Sequence, residues 1–201
     1  MKLYFAKGTC ALHPHVVLLE SGLSFDLVRV DIRAHKTQDG TDYYTVNPKG
    51  YVPALQLDDG SILTEGAVID QYIADRKPES RLAPPAGTME RYRLQEWMNF
   101  IASEIHKSFS PLFGSYADDV KQIFRQKISG RLDLIERTLA ATPYLMGDAF
   151  TIADAYLYNM LTWTPYTGID LAKWPAIQAF YKRVEERPSV KTAVEQEKSK
   201  A

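Results

Sequence analysis

The feature that most constrains this chain is a change of pattern at Pro84-Pro85-Ala86-Gly87. Before it, short runs rich in β-branched and aromatic residues alternate with helical spacings; from residue 88 onward almost every stretch repeats at helical spacing. Adjacent prolines interrupt helix and strand alike. Residues 81–87 therefore read as a linker between an α/β domain at 1–80 and an all-helical domain at 88–201. A chain of 201 residues can bury cores for both without disulfide or metal staples.

Composition removes several function classes. The 24 Lys+Arg and 25 Asp+Glu are interspersed, leaving no basic excess to neutralise phosphates, so no nucleic-acid partner is expected. No apolar run reaches the roughly 18 residues of a membrane span, and the opening Met1 to Ala6, cut off by Lys7, is too short for a signal-peptide core. A single cysteine, Cys10, cannot form an internal disulfide. It fits a reducing compartment, and the expected location is cytoplasmic.

Within the first domain, residues 3–6 read as a strand, Lys7-Gly8-Thr9 as a turn, and 11–21 as a helix stopped by Gly22. Residues 25–32 are apolar on both faces, which predicts a buried strand parallel to the first. Residues 33–50 are polar and turn-rich, with a short helix at Tyr43 and Tyr44. Residues 54–57 and 61–63 flank Asp58-Asp59-Gly60 as a hairpin, and 65–74 follow as a helix. The order βαβ then ββα predicts a mixed sheet with helices packed on it. Helices at 88–113, 118–141, 151–163 and 174–186, with a tail helix after Pro188, make the second domain a bundle.

Two of those helices carry more than core. On a 100° wheel, Leu94, Trp97, Met98, Ile101, Ile105, Phe109 and Leu112 form an apolar face. The opposite arc holds Tyr92, Gln95, Asn99, Ser103, His106 and Ser110, with Lys107 beside it. Such a neutral hydrogen-bonding stripe suits a cleft as well as plain solvent. Thr151-Ile152-Ala153-Asp154 is a capping box, which assigns Thr151 and Asp154 a structural role at the start of a helix apolar nearly all round.

Cys10 follows a strand and Gly8-Thr9 and precedes a helix, where unpaired N–H groups and the macrodipole favour an anion. A thiol near pKa 8.5 is only about 3% ionised at pH 7, and bringing it to about 6.5 takes roughly 2.7 kcal/mol. The dipole supplies about 0.3–1 kcal/mol, up to about 2 when partly buried. A second donor is required, and His106, Lys107 or the Thr9 hydroxyl are the candidates; otherwise Cys10 is a small buried hydrophobe. Cys10, His13 and His15 could be drawn as zinc ligands, but Pro14 suits helix initiation and no fourth ligand is apparent. Without a second cysteine at CxxC spacing, any redox cycle must borrow an external thiol. A cis bond at Val52-Pro53 would leave the Val52 N–H and C=O open to an extended peptide. Gly66, starting a helix, would offer amides to a carboxylate, while Glu65 could pair with an ammonium. One site could thus hold a zwitterion.

Taken together, Gly8-Thr9-Cys10, Asn47-Pro48-Lys49-Gly50-Tyr51-Val52-Pro53-Ala54-Leu55, Leu63-Thr64-Glu65-Gly66, Asn99 with His106-Lys107, and Phe150-Thr151-Ile152-Ala153-Asp154 resemble the bacterial beta class of cytosolic glutathione S-transferases, in order and spacing from Leu3 to about Val190. The resemblance implies a thioredoxin-like α/β N-terminal domain, an all-α C-terminal bundle and a homodimer. It also implies conjugation of the glutathione thiolate to small apolar electrophiles, with peroxidase or dehalogenase side activity. Glutathione would be a co-substrate, with no permanently bound cofactor and no metal. Cys10 would face the glutathione sulfur, and Val52 would pair with the cysteinyl backbone beside Pro53. Glu65 and Gly66 would hold the γ-glutamyl end and Lys36, or its neighbour His35, the glycyl end. His106 and Lys107 would close over the thiol, supported by Asn99. Tyr51 stands where many relatives carry Gln, and Gly66 where many other classes carry Ser, so only backbone donors remain there. Tyr4 and Thr9 resemble activators used elsewhere in the superfamily. Aromatic residues at 109–116 and 163–166 would line the acceptor pocket. Two other readings stand beside this one: a thiol-disulfide exchange catalyst acting through a Cys10 mixed disulfide, and a non-catalytic binding module on the same fold.

Overall fold

The structure is a computed structural model that describes residues 1–199. It divides into two compact units, Met1–Ala83 together with the segment from Arg187 onward, and Pro84–Glu186.

The first unit is built on a five-stranded mixed sheet of β1 (Lys2–Phe5), β2 (Asp26–Asp31), β3 (Lys36–Thr37), β4 (Ala54–Gln56) and β5 (Ile62–Thr64), ordered β3-β2-β1-β4-β5. Only β1 and β2 run parallel; the other neighbours are antiparallel. Strand alternation sends Tyr4 and Ala6 into a cluster with Val30, Tyr43, Val52 and Ala54, and sends the fully buried Leu3 and Phe5 to the opposite face. Helix α1 (Leu12–Ser21) ends where Gly22 takes φ 70°, and α2 (Gly66–Arg76) packs against it. The β4–β5 hairpin turns at the residues expected of it.

Two expectations need correction. The strand β2 is not apolar on both faces: Leu27 and Val30 are buried, Val28 is half-buried, and Asp26, Arg29 and Asp31 are exposed. The stretch 33–50, read as turns with a short helix at Tyr43 and Tyr44, does hold a one-turn helix at Tyr43–Thr45 but also contributes the edge strand β3, which pairs with β2.

In the second unit, α3 (Met89–Phe100) passes into a π-helical segment, Ile101–His106, and then into α4 (Lys107–Phe113). The expected single regular helix is thus interrupted by wider turns, and Trp97, assigned to the core face, is only half-buried. Helices α5 (Asp118–Ala141), α6 (Ile152–Leu161), α7 (Thr164–Thr167) and α8 (Pro175–Glu185) follow. Every residue of α6 is buried, as its all-round apolar pattern requires. The last helix, α9 (Pro188–Ser199), packs on α1 and so counts with the first unit. No helix among the described residues is long and apolar enough to cross a membrane.

Candidate functional site

In the first unit the turn after β1 brings Cys10 to a half-buried position just ahead of α1. Val52-Pro53 is cis, and the Cys10 thiol donates to the Val52 carbonyl at 3.4 Å. The Val52 carbonyl is therefore already engaged, contrary to the expectation that both of its backbone groups stand open; among the described residues its N–H makes no backbone hydrogen bond. The loop leading into Val52 is held by two donors on the Tyr51 carbonyl, the Tyr43 hydroxyl at 2.9 Å and the buried Asn47 amide at 2.7 Å. Tyr51 itself is 74% exposed.

The Thr9 hydroxyl, a candidate donor to the thiol, gives its one proton to the Ala6 carbonyl at 2.7 Å and accepts from the Ala11 N–H. It shapes the turn instead of acidifying the sulfur. Tyr4 is buried, which raises its phenol above the ordinary value, with Asp39 pushing the same way. The Tyr4 hydroxyl donates to Gln56 Oε1 at 3.4 Å.

Glu65 precedes α2 with φ 70°, a region L side chains rarely adopt. Its carbonyl accepts from the Val68 and Ile69 amides, and its carboxylate accepts from Lys49 Nζ at 2.6 Å. Lys49 also donates to Thr64 Oγ1. Lys49 thus sits on the carboxylate that is expected to pair with a ligand's ammonium. Of the two candidates for a glycyl contact, His35 stacks on Tyr44 with ring centroids 4.4 Å apart. Lys36 lies exposed on β3.

The second unit carries its own constellation. His106 ends the π-helical segment, half-buried, with Nδ1 2.7 Å from the Tyr156 hydroxyl. Its ring meets Trp163 edge-on at 5.2 Å, and Trp163 also contacts Phe109 at 5.7 Å and Phe113 at 5.5 Å. This aromatic group draws from both stretches expected to supply an acceptor pocket, with Phe113, Tyr116 and Tyr166 exposed. Lys107 and Asn99 are exposed, and the Asn99 carbonyl accepts from Ser103. Thr151 and Asp154 form the capping box. Asp154 also accepts from the Leu145 N–H at 2.8 Å, tying the preceding loop to α6. Burial of this carboxyl raises its pKa to about 6, against the pull of the Leu145 and Thr151 hydrogen bonds.

Family models described as "Glutathione S-transferase, N-terminal domain" and "Glutathione S-transferase, C-terminal domain" match residues 9–76 and 95–188. The glutathione S-transferase GstA of Escherichia coli O157:H7 is 42% identical over 198 residues, 98% of each chain. The chain belongs to the glutathione S-transferase family. Among solved glutathione S-transferases, the bacterial protein BphK, described as a ternary complex, is 52% identical with a TM-score of 0.96, over 98% of this chain and 99% of that one. A sphingomonad glutathione S-transferase complexed with glutathione is 44% identical (TM-score 0.95), and the beta-class enzyme of Sphingomonas chungbukensis 43% (TM-score 0.94), each over 98% of both chains. The fold is accordingly the thioredoxin-like plus all-helical fold of the glutathione S-transferases.

Three residues that hold the candidate groups within their own units escaped the reading of the sequence. Tyr43 reads only as part of a short helix and Lys49 only as part of the Asn47-Pro48-Lys49-Gly50 bend, so neither side chain is given a partner. Tyr156 sits in a helix whose apolar pattern hides the polar end of one buried ring.

Proposed function

We propose that this chain is a glutathione transferase that binds the tripeptide in its first unit and joins its sulfur to a small apolar electrophile. The observation that carries the reading is the convergence, within one unit, of Cys10, the cis Val52-Pro53 segment and the Glu65–Gly66 helix start. Val52 would pair with the cysteinyl backbone beside Pro53, the bound peptide taking over the carbonyl that the Cys10 thiol now occupies. Gly66 and the α2 amides would receive the γ-glutamyl carboxylate and Glu65 its ammonium, with Tyr51 beside the cysteinyl segment and Lys36 at the glycyl end. Within the second unit, His106 would be a further catalytic residue, Lys107 and Asn99 further binding residues, and the aromatic group around Trp163 would receive the electrophile. Along the sequence, residues 1–80 would be the glutathione domain, 81–87 the linker and 88–201 the acceptor domain, whose last helix, α9, packs back on α1 of the first unit, in a cytoplasmic homodimer.

Rate enhancement would come from alignment and a larger thiolate fraction. The test is retention on immobilised glutathione together with turnover of a generic aryl halide. Loss of both would refute the reading. Cys10→Ala should retain part of the conjugation, because the tripeptide sulfur is the nucleophile; abolition of conjugation would shift the assignment to exchange through a Cys10 mixed disulfide.

A further inference from the structure

Beneath the Glu65–Gly66 turn lies a pair of ionisable side chains that the functions above leave unused. His13 and Asp70 are both fully buried, with Nδ1 and Oδ2 2.6 Å apart. Asp70 Oδ1 is buried without a hydrogen-bond partner among the described residues. Two aliphatic side chains would fill this seam between α1 and α2 without the desolvation cost of a carboxyl and an imidazole. Packing alone therefore gives no reason for the pair.

The position of the ring gives one. A methyl group built on Gly66 would lie 2.6 Å from both Cε1 and Nε2 of His13, and 3.5 Å from Pro53 Cγ. Gly66 is not among the positive-φ glycines, so its backbone admits any residue, and the imidazole is what excludes a side chain. The neighbouring Glu65 holds φ 70°, a conformation that L side chains rarely adopt and that persists only where surrounding structure imposes it.

We propose that the buried His13–Asp70 pair is a positioning element for the γ-glutamyl carboxylate site. The imidazole fills the volume of a residue-66 side chain and supports the Glu65–Gly66 turn from below, while Asp70 fixes the ring. The inference rests on the glutathione reading of that turn. Neither residue touches the tripeptide; they set its affinity by holding the amides that do.

The test is a double-mutant cycle on His13→Ser and Gly66→Ser, with Asp70→Ala and Asp70→Asn, each checked by thermal melting before kinetics. Gly66→Ser should raise the KM for glutathione about ten-fold, the weight of one hydrogen bond to a charged group. Adding His13→Ser to it should bring KM back to within about three-fold of the parent, a non-additivity expected only of residues in contact. Asp70→Ala should raise KM as Gly66→Ser does. Asp70→Asn, which keeps an acceptor for the ring, should retain most of the affinity. The kcat at saturating glutathione should stay nearly constant throughout. Additive effects of the first two substitutions, or an unchanged KM in Asp70→Ala, would overturn the proposal.

Should Gly66→Ser fail to fold, the ring can be followed in the parent enzyme by nitrogen NMR. Its resonances should move with glutathione but not with cysteinylglycine, which lacks the γ-glutamyl end; an equal response, or none, would overturn the proposal. A parent enzyme that does not bind immobilised glutathione would remove the underlying reading. Binding by the parent with an additive cycle would remove this inference alone.

Discussion

The Tyr156 hydroxyl lies 2.7 Å from Nδ1 of His106, joining a fully helical core element to the last residue of a π-helical segment. A hydrogen bond at one ring nitrogen fixes the imidazole plane and assigns Nε2 to the opposite side. Tyr156→Phe should lower kcat for conjugation about ten-fold, alter its pH profile, and leave the KM for glutathione nearly unchanged. Steady-state kinetics across pH checks this.

Asp154 caps α6 and anchors the loop before it. Its carboxylate accepts from the Thr151 N–H and hydroxyl and from the Leu145 N–H. Asp154→Ala should cost about 2 kcal/mol, the upper end for a lost cap, while the folded fraction keeps its kinetics. Calorimetry with parallel kinetics tests both halves.

The same carboxyl gives a signed pH dependence. The unfolded chain loses this proton near 3.8, whereas the buried group holds it to about 6. Its contribution is thus fully present below 3.8 and is lost as pH rises through that window, by about 3 kcal/mol in all. Asp154→Asn should flatten the stability difference between pH 4 and 7, measured by denaturant titration.

Much of this was legible beforehand because local chemistry fixed it. Asp58-Asp59-Gly60 determines a hairpin, Gly22 stops α1, and the Thr151/Asp154 box needs only residues three apart. The rest depended on partners distant in sequence. The pairing of His13 with Asp70 spans 57 residues, and the engagement of Cys10 with the Val52 carbonyl spans 42. The π-helical turns at 101–106 were hidden for another reason: a 100° wheel presupposes the α-helical bond pattern, so it cannot register a change of pitch. At two residues, β3 is too short for any alternation to show.

The C-terminal helix is fastened by Arg187, whose Nε and Nη2 donate to the two Glu20 oxygens at 2.8 and 2.9 Å, with Ser189 adding a short hydrogen bond. Burial pulls the Glu20 carboxyl upward, but these bonds outweigh it and hold it below its ordinary value. That contribution is present above the ordinary carboxylate range and is lost as pH falls through it. Arg187→Ala should destabilise by about 2 kcal/mol and weaken the acid sensitivity of unfolding, which denaturant titration at two pH values checks.

The Lys49–Glu65 pair is solvent-exposed on both sides, so its loss should scarcely affect stability, by less than about 1 kcal/mol. Glu65→Gln should instead weaken glutathione binding about ten-fold at an unchanged melting temperature. Isothermal titration beside a thermal melt separates the two.

The most direct measurement is an ultraviolet titration of the thiolate of enzyme-bound glutathione. The account predicts ionisation at least about one pH unit below the roughly 8.5 of an unperturbed thiol. A bound tripeptide that ionises as it does in plain buffer would contradict it.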